Sequence, residues 1–294
     1  MPGSPEGTLI RLAAFTTDPA GGNPAGVWLG DPLPSDGEML RIARDVGYSE
    51  TAFVVPDSSA AGRFRVRYFS PLAEVPFCGH ATIASGVALA ERGKGAPSPG
   101  SAEGSELVLV TNSGPVGVSV APGSDGLPRA TLTSVEPWVR DPEPRLMERA
   151  LALLGWRSDD LDPSLPPAVG YAGAKHLIIP VRELATLQGL AYPFEEMKEL
   201  MSEADLTTLQ LIWREAADRF RARDPFPVGG VVEDPATGAA AAAFGAYLRA
   251  RGAIAAPASF EIVQGVEMGR PSRLTVTIVP DEAGIRVSGN AVTI

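Results

Sequence analysis

Two stretches decide the fold: EVPFCGHATIASGVALAERG at Glu74–Gly93 and EDPATGAAAAAFGAYLRARG at Glu233–Gly252. Aligned without gaps, they agree at nine of twenty positions: Glu74/Glu233, Pro76/Pro235, Gly79/Gly238, Ala81/Ala240, Ala84/Ala243, Gly86/Gly245, Leu89/Leu248, Arg92/Arg251 and Gly93/Gly252. Alanine matches between Ala-rich helices come cheaply. The Glu, Pro, Gly and Arg matches are harder to dismiss and point to an internal duplication. Each copy reads as a tight Gly-containing loop feeding a helix of small residues, over His80–Arg92 and Ala239–Arg251. Each helix ends at Gly, a common terminator. Small side chains let strands approach a helix closely, which suits a helix wrapped by a sheet. The loop glycine leaves backbone N–H groups free at the helix N-terminus, and these with the helix dipole favour a bound anion. Two such ends facing each other across a pseudo-twofold are expected to make a cleft for an anionic substrate.

The rest of the chain is consistent with two lobes. Its 294 residues correspond to about two domains at roughly 150 residues each. Asp and Glu outnumber Lys and Arg by 35 to 25, a net charge of −10, which argues against nucleic acid or an anionic membrane as partner. One cysteine, Cys78, excludes an intrachain disulfide and two-thiol chemistry. Two histidines and one cysteine are too few for a zinc site of ordinary composition. Met1–Glu6 lacks a basic patch before an apolar run, so no signal peptide is read. The weakly polar run Gly238–Leu248 is far below the ~20 residues of a membrane span. A cytoplasmic protein is the default expectation.

Gly (32) and Pro (28) make up about a fifth of the chain, favouring many short strands joined by turns. Strands are expected at Leu9–Phe15, Ala25–Leu29, Ala52–Val55, Phe64–Phe69, Glu106–Thr111, Val116–Val120 and Ala130–Thr133. More follow at Lys175–Val181, Leu209–Trp213, Phe260–Gln264, Arg273–Val279 and Ile285–Ser288. The alternation opening Phe64–Phe69 predicts one wet face. Helices are expected at Gly37–Val46, opened by a Ser35/Glu38 capping box, at Glu143–Leu154 and at Phe194–Ser202. Gly93–Ser105 and Ser158–Ala168 read as loops. Ala121–Gly126 reads as the boundary between an N-terminal lobe (1–122) and a C-terminal lobe (123–284).

Several segments, in order along nearly the whole chain, carry a resemblance. They are Ala14-Phe15-Thr16 with Gly22-Asn23-Pro24-Ala25, then Tyr48-Ser49-Glu50-Thr51-Ala52-Phe53-Val54 and Pro76-Phe77-Cys78-Gly79-His80-Ala81-Thr82. Lys175-His176-Leu177 and Glu233-Asp234-Pro235-Ala236-Thr237-Gly238 follow. The last are Gln264-Gly265 with Gly269-Arg270-Pro271-Ser272, and Gly289-Asn290-Ala291-Val292. Together they resemble the PhzF, or phenazine biosynthesis-like, family within the diaminopimelate epimerase-like fold. The resemblance implies an α+β protein of two similar lobes, each a β-barrel-like sheet around a central helix, with the last strand, 285–294, returning to the first lobe. It also implies a cofactor-free isomerase acting on a small anionic carboxylated metabolite, and a homodimer.

The family's acid–base glutamate falls at Glu50, with Ser49 beside it on the substrate side. The residues themselves give weaker, independent support: Glu50 sits where a loop enters the apolar run Ala52–Val55. A carboxyl group shielded from water there suits a residue that must take and give a proton near neutral pH. A solvated strand-end glutamate is the plain alternative. His80 opens the first central helix, whose N-terminus favours neutral imidazole; the family places a substrate-contacting or proton-relaying histidine here. Asp234 can cap free N–H groups at the second helix entry or, as the resemblance implies, bind a substrate amino or hydroxyl group. Gly79 and Gly238 would offer backbone donors to a carboxylate or developing enolate. Cys78 aligns with the first catalytic cysteine of diaminopimelate epimerase, but Thr237 stands at the second position, so a two-thiol racemase is excluded. Cys78 itself is read as a small buried residue. Asn23 either reaches the cleft or stabilises its turn, and His176 is read as structural.

One departure stands out. Isomerases of the family tend to carry Ser, then Ala and His, after this Thr-Gly; here Ala239, Ala240 and Ala241 follow. The lost hydroxyl at Ala239 puts the phenazine-precursor substrate in doubt. Dinucleotide, P-loop, nucleophile-elbow and His-Glu-x-x-His metalloprotease motifs are absent. The leading expectation is a cofactor-independent proton or double-bond shift centred on Glu50. An amino-acid-type epimerase, and a non-catalytic small-molecule binding protein of the same fold, are the alternatives.

Overall fold

The computed structural model describes residues 6–97, 104–123 and 125–294. The reading of Met1–Pro5, the middle of the Gly93–Ser105 loop, and Ser124 in the proposed boundary lie outside them. The chain divides into two compact units, Met1–Thr133 with Ser288–Ile294, and Ser134–Val287.

The first unit is a closed eight-stranded barrel around one helix. Its strands are β1 (Glu6–Ala14), β2 (Asn23–Asp31), β3 (Glu50–Pro56), β4 (Arg63–Phe69), the short β5 (Glu74–Val75) and β6 (Ala96–Pro97), β7 (Ser105–Thr111), β8 (Gly114–Pro122) and β9 (Pro128–Thr133). The C-terminal strand, β18 (Arg286–Thr293), closes it. Pairing runs β1–β2–β3–β4–β7–β8–β9–β18 and back to β1, so this ring has no free edge. The β2–β3 and β4–β7 pairs are parallel. β2 reaches β3 through α1 (Asp36–Val46), whose N-cap Ser35 Oγ accepts from the Glu38 N–H. Strand β4 alternates as expected, with Phe64, Val66 and Tyr68 buried and Arg65 exposed.

The barrel is filled by α2 (Gly79–Ala90), buried from His80 to Leu89. Its small residues are a packing requirement. A Cβ on Gly86 would lie 2.8 Å from Val118 Cγ1, closer than packed carbon atoms sit.

The second unit carries β10 (Trp138–Arg140), β11 (Ala168–Tyr171), β12 (Lys175–Val181), β13 (Thr208–Ala216), β14 (Arg219–Pro225), the short β15 (Glu233–Asp234), β16 (Ala258–Gln264) and β17 (Ser272–Ile278). The sheet runs β10–β11–β12–β13–β14–β16–β17, with β12–β13 and β14–β16 parallel. α6 (Gly238–Ala250) packs on β10–β13 and β17. A Cβ on its Gly245 would meet Val276 Cγ1 at 2.7 Å and Ile285 Cγ2 at 2.8 Å. Three further helices, α3 (Pro144–Leu154), α4 (Leu184–Gln188) and α5 (Phe194–Glu203), enclose a second core around Leu177, Met197, Leu200 and Leu209. Among the described residues, no helix is long and apolar enough to cross a membrane.

Two corrections follow. The division falls at Thr133/Ser134, not 122/123, because β9 pairs along β8 from Val118↔Leu132 to Pro122↔Pro128 and so belongs to the first unit. Strands β10, β11 and β14 were not expected. β14 reads as charged because Arg219, Arg221 and Arg223 alternate with Phe220, Ala222 and Asp224.

Candidate active site

In the first unit, Glu50 opens β3 and its side chain keeps only 13% of its exposure, so it is not a solvated strand-end residue. Cys78 is the N-cap of α2, and His80, with a side chain 5% exposed, lies in its first turn. The loop and the strand end converge. The Cys78 thiol points to Glu50 Oε2 at 3.6 Å, and its sulfur lies 3.4 Å from His80 Nδ1. His80 Nε2 is 3.5 Å from Glu50 Oε2 and 3.4 Å from Ser49 Oγ. Four of the expected site residues therefore form one cluster.

Gly79 begins α2, whose N-cap side chain makes no capping bond to the helix and whose first turn has no acidic residue. The first turn brings no negative charge of its own to the positive end of the helix dipole, an arrangement that favours an anion there. Asn23 is buried at the start of β2, two residues from Ala25, the strand partner of Glu50.

Glu50, Cys78 and His80 also offer metal-ligand atoms within 4.8 Å of one another. The residue types suit zinc, but the geometry does not. The sulfur is 3.4 Å from Nδ1 and 3.9 Å from Nε2, so it lies beside the ring, ahead of neither lone pair. Joint ligation requires the imidazole to turn.

In the second unit, Asp234 is buried on β15 and Thr237 is the N-cap of α6. The Thr237 hydroxyl donates to Asp234 Oδ2 at 2.7 Å, so it is not spent on the helix. Gln264 Nε2 donates to Thr237 Oγ1 at 3.1 Å and to the Asp234 carbonyl at 2.8 Å. Asp234 is tied to the start of α6 through Thr237. Gly238 begins α6, whose first turn again has no acidic residue, and Ala239 is half-buried behind it. Gly265, at φ +76°, brings its loop so close that a Cβ would lie 2.8 Å from the Pro235 carbonyl oxygen.

Each unit also anchors its loop through an Arg–Glu pair that sequence reasoning missed. Arg67 binds Glu74 through two bonds of 2.7 Å and Asp36 at 2.6 Å. Arg223 Nε donates to Glu233 at 3.0 Å, and its Nη2 donates to the other carboxylate oxygen. Arg223 Nη1 donates to the carbonyls of Leu187 and Gln188. The repeated Glu74/Glu233 match was the available signal, because a glutamate kept ahead of each loop needs a partner.

Two buried groups lie beyond the expected set. His176 is fully buried, its Nδ1 2.8 Å from Thr208 Oγ1, and burial pushes it down to about 3, so the ring is neutral. Asp224 is fully buried on β14, and burial, before the charges of Asp234 and Glu233, holds its carboxyl well above the usual range.

The model of the phenazine biosynthesis-like (PhzC-PhzF) proteins matches residues 12–294. The chain belongs to this family. An uncharacterized isomerase of Bacillus subtilis is 31% identical, over 97% of this chain and 94% of its own. The trans-2,3-dihydro-3-hydroxyanthranilate isomerase of Pseudomonas chlororaphis is 30% identical, over 97% of this chain and 96% of its own. The crystal structure of a PhzF-family phenazine biosynthesis protein from Bacillus anthracis superposes with a TM-score of 0.82 at 28% identity, covering 97% of this chain and 96% of that one. The family match extends over both units, so the Glu50 and Asp234 clusters both lie inside it.

Proposed function

We propose that this isomerase moves a proton or a double bond on a small carboxylate-bearing metabolite, with Glu50 as acid and base and no cofactor. The observation that carries the reading is the convergence of Glu50 Oε2, Cys78 Sγ and His80 Nε2 in a nearly dry cluster at the uncapped end of α2. Glu50 takes a proton from carbon next to, or vinylogous with, the substrate carboxylate or carbonyl. It returns the proton elsewhere on the same face. The α2 amide end binds developing negative charge, and His80 relays or orients. Within the first unit, Asn23 and Ser49 are further substrate contacts; in the second unit, Asp234 and the α6 amide end are the candidate binders of a polar group. We also infer that the units arose by duplication; the matched loops and the like order of parallel and antiparallel pairs in each sheet support this. A homodimer is part of the proposal, tested by light scattering.

Relatives named trans-2,3-dihydro-3-hydroxyanthranilate isomerases make that compound the first substrate to try. A second reading, epimerisation, is favoured by the thiol 3.6 Å from Glu50. Turnover in deuterated water separates the two. A hydrogen shift places hydrogen at the new C–H position, labelled to the extent that Glu50 exchanges with solvent before returning it, whereas an epimerase labels the carbon that loses the proton. No label and no turnover on a panel of such carboxylates would favour a binding protein.

A further inference from the structure

Behind Asp234 lies a group of buried polar side chains that the proposed chemistry does not use. Asp224 and Asp234 are register partners across β14 and β15. Gln210 sits on β13 one residue beyond the Leu211↔Arg223 pair, beside Asp224. His176 and Thr208 are register partners across β12 and β13. All five side chains are buried. Both oxygens of Asp224, both amide atoms of Gln210 and Nε2 of His176 have no well-formed hydrogen bond. A buried polar atom left so is costly, and an ionised carboxylate is far more so.

Counting protons decides the state of Asp224. Asp234, the register partner of Asp224, is three residues before Thr237, the N-cap of α6, and the one proton of the Thr237 hydroxyl goes to Asp234 Oδ2. Thr237 Oγ1 accepts one bond, from Gln264 Nε2, and keeps a second lone pair. If Asp224 were ionised, two carboxylates would compete for one hydroxyl proton. If Asp224 is a neutral acid, its O–H can donate to Thr237 Oγ1, and every donor then points toward Asp234. The charged and titratable groups around Asp224 agree with the neutral form. Asp234 and Glu233 oppose a further negative charge, Arg223 is committed to Glu233, His176 is neutral, and the first turn of α6 carries no charge.

We propose that Asp224 holds its proton and acts as a positioning residue for Asp234 through the Thr237 hydroxyl. Its bearing on turnover rests on the reading of Asp234 as a substrate-binding carboxylate; the proton itself does not. The test needs no substrate. The full chain is labelled with carbon-13 at aspartate carboxyl groups and titrated by NMR, with Asp224→Asn assigning the signal. The Asp224 carbon is expected to stay at the protonated position at pH values where an ordinary aspartate is already ionised. The Asp234 carbon is expected to shift when Asp224 loses its proton at higher pH. That second shift should vanish in Asp224→Asn and fall severalfold in Thr237→Val. Circular dichroism of each variant checks that it is folded. An Asp224 signal at the ionised position at neutral pH overturns the proposal, as does an Asp234 response of undiminished size in Thr237→Val. Asp234→Asn with unchanged turnover overturns the reading of Asp234, while leaving the Asp224 signal to report its own proton.

Discussion

Glu233→Ala should destabilise the protein far more than Glu74→Ala, although the two glutamates occupy matched places. The Arg223 and Glu233 side chains keep 10% and 8% of their exposure, against 22% and 27% for Arg67 and Glu74. Removing Glu233 leaves a guanidinium buried with only the Leu187 and Gln188 carbonyls. Breaking such a pair costs about 3–5 kcal/mol. Removing Glu74 leaves Arg67 bound to Asp36 at 2.6 Å and near water, a loss of about 1 kcal/mol or less. At roughly 2–4 °C per kcal/mol for a domain of this size, Glu233→Ala should lower Tm by roughly 6–20 °C and Glu74→Ala by only a few degrees. Thermal unfolding by circular dichroism measures both. Replacing Arg223 and Glu233 together with Met and Leu should recover part of the loss, because no unpaired charge remains. Equal Tm shifts for the two single variants would refute the reasoning that burial, not the pair itself, sets the cost.

Asp224→Asn should change how stability depends on pH. The Asp224 carboxyl is held above its unfolded value, so its contribution is fully present below about pH 3.9 and is lost as pH rises toward the folded value, by at most about 1.4 kcal/mol per pH unit. The variant should match the wild type in acid and exceed it near neutrality in urea unfolding; a constant difference at all pH values contradicts this. Cys78→Ala should keep turnover within about tenfold if Glu50 works alone on one face. A loss as deep as that of a Glu50 variant would instead make the thiol a second base.

Much of the architecture was legible because its signals are local. Lys175–Val181, with Leu177, Ile178, Ile179 and Val181 in its apolar half, forms β12 over those same residues. The Glu74–Gly93 and Glu233–Gly252 match marked both buried helices, since glycines 86 and 245 are fixed by contact with the surrounding strands. β14 stayed hidden because its outward arginines look solvated, and only tertiary pairing with Glu233 buries Arg223. In the candidate site, Glu50, Cys78 and His80 were singled out from their motifs. Their mutual distances depend on a strand end meeting a helix start 28 residues away in the chain, which no local pattern encodes. Asp224 and Gln210 escaped notice for a related reason: a polar residue in a strand reads as its wet face unless the facing helix is known.

The central claim is that the Glu50 carboxyl carries the proton. The direct measurement compares wild type with Glu50→Gln in deuterated water, using trans-2,3-dihydro-3-hydroxyanthranilate first and related carboxylates next, with ligand binding followed by calorimetry. The glutamine keeps size and polarity but cannot exchange a proton at neutral pH. Label incorporation and turnover should fall by about 10²–10⁴-fold while binding changes little. A glutamine variant that still labels its substrate at the wild-type rate would contradict the account.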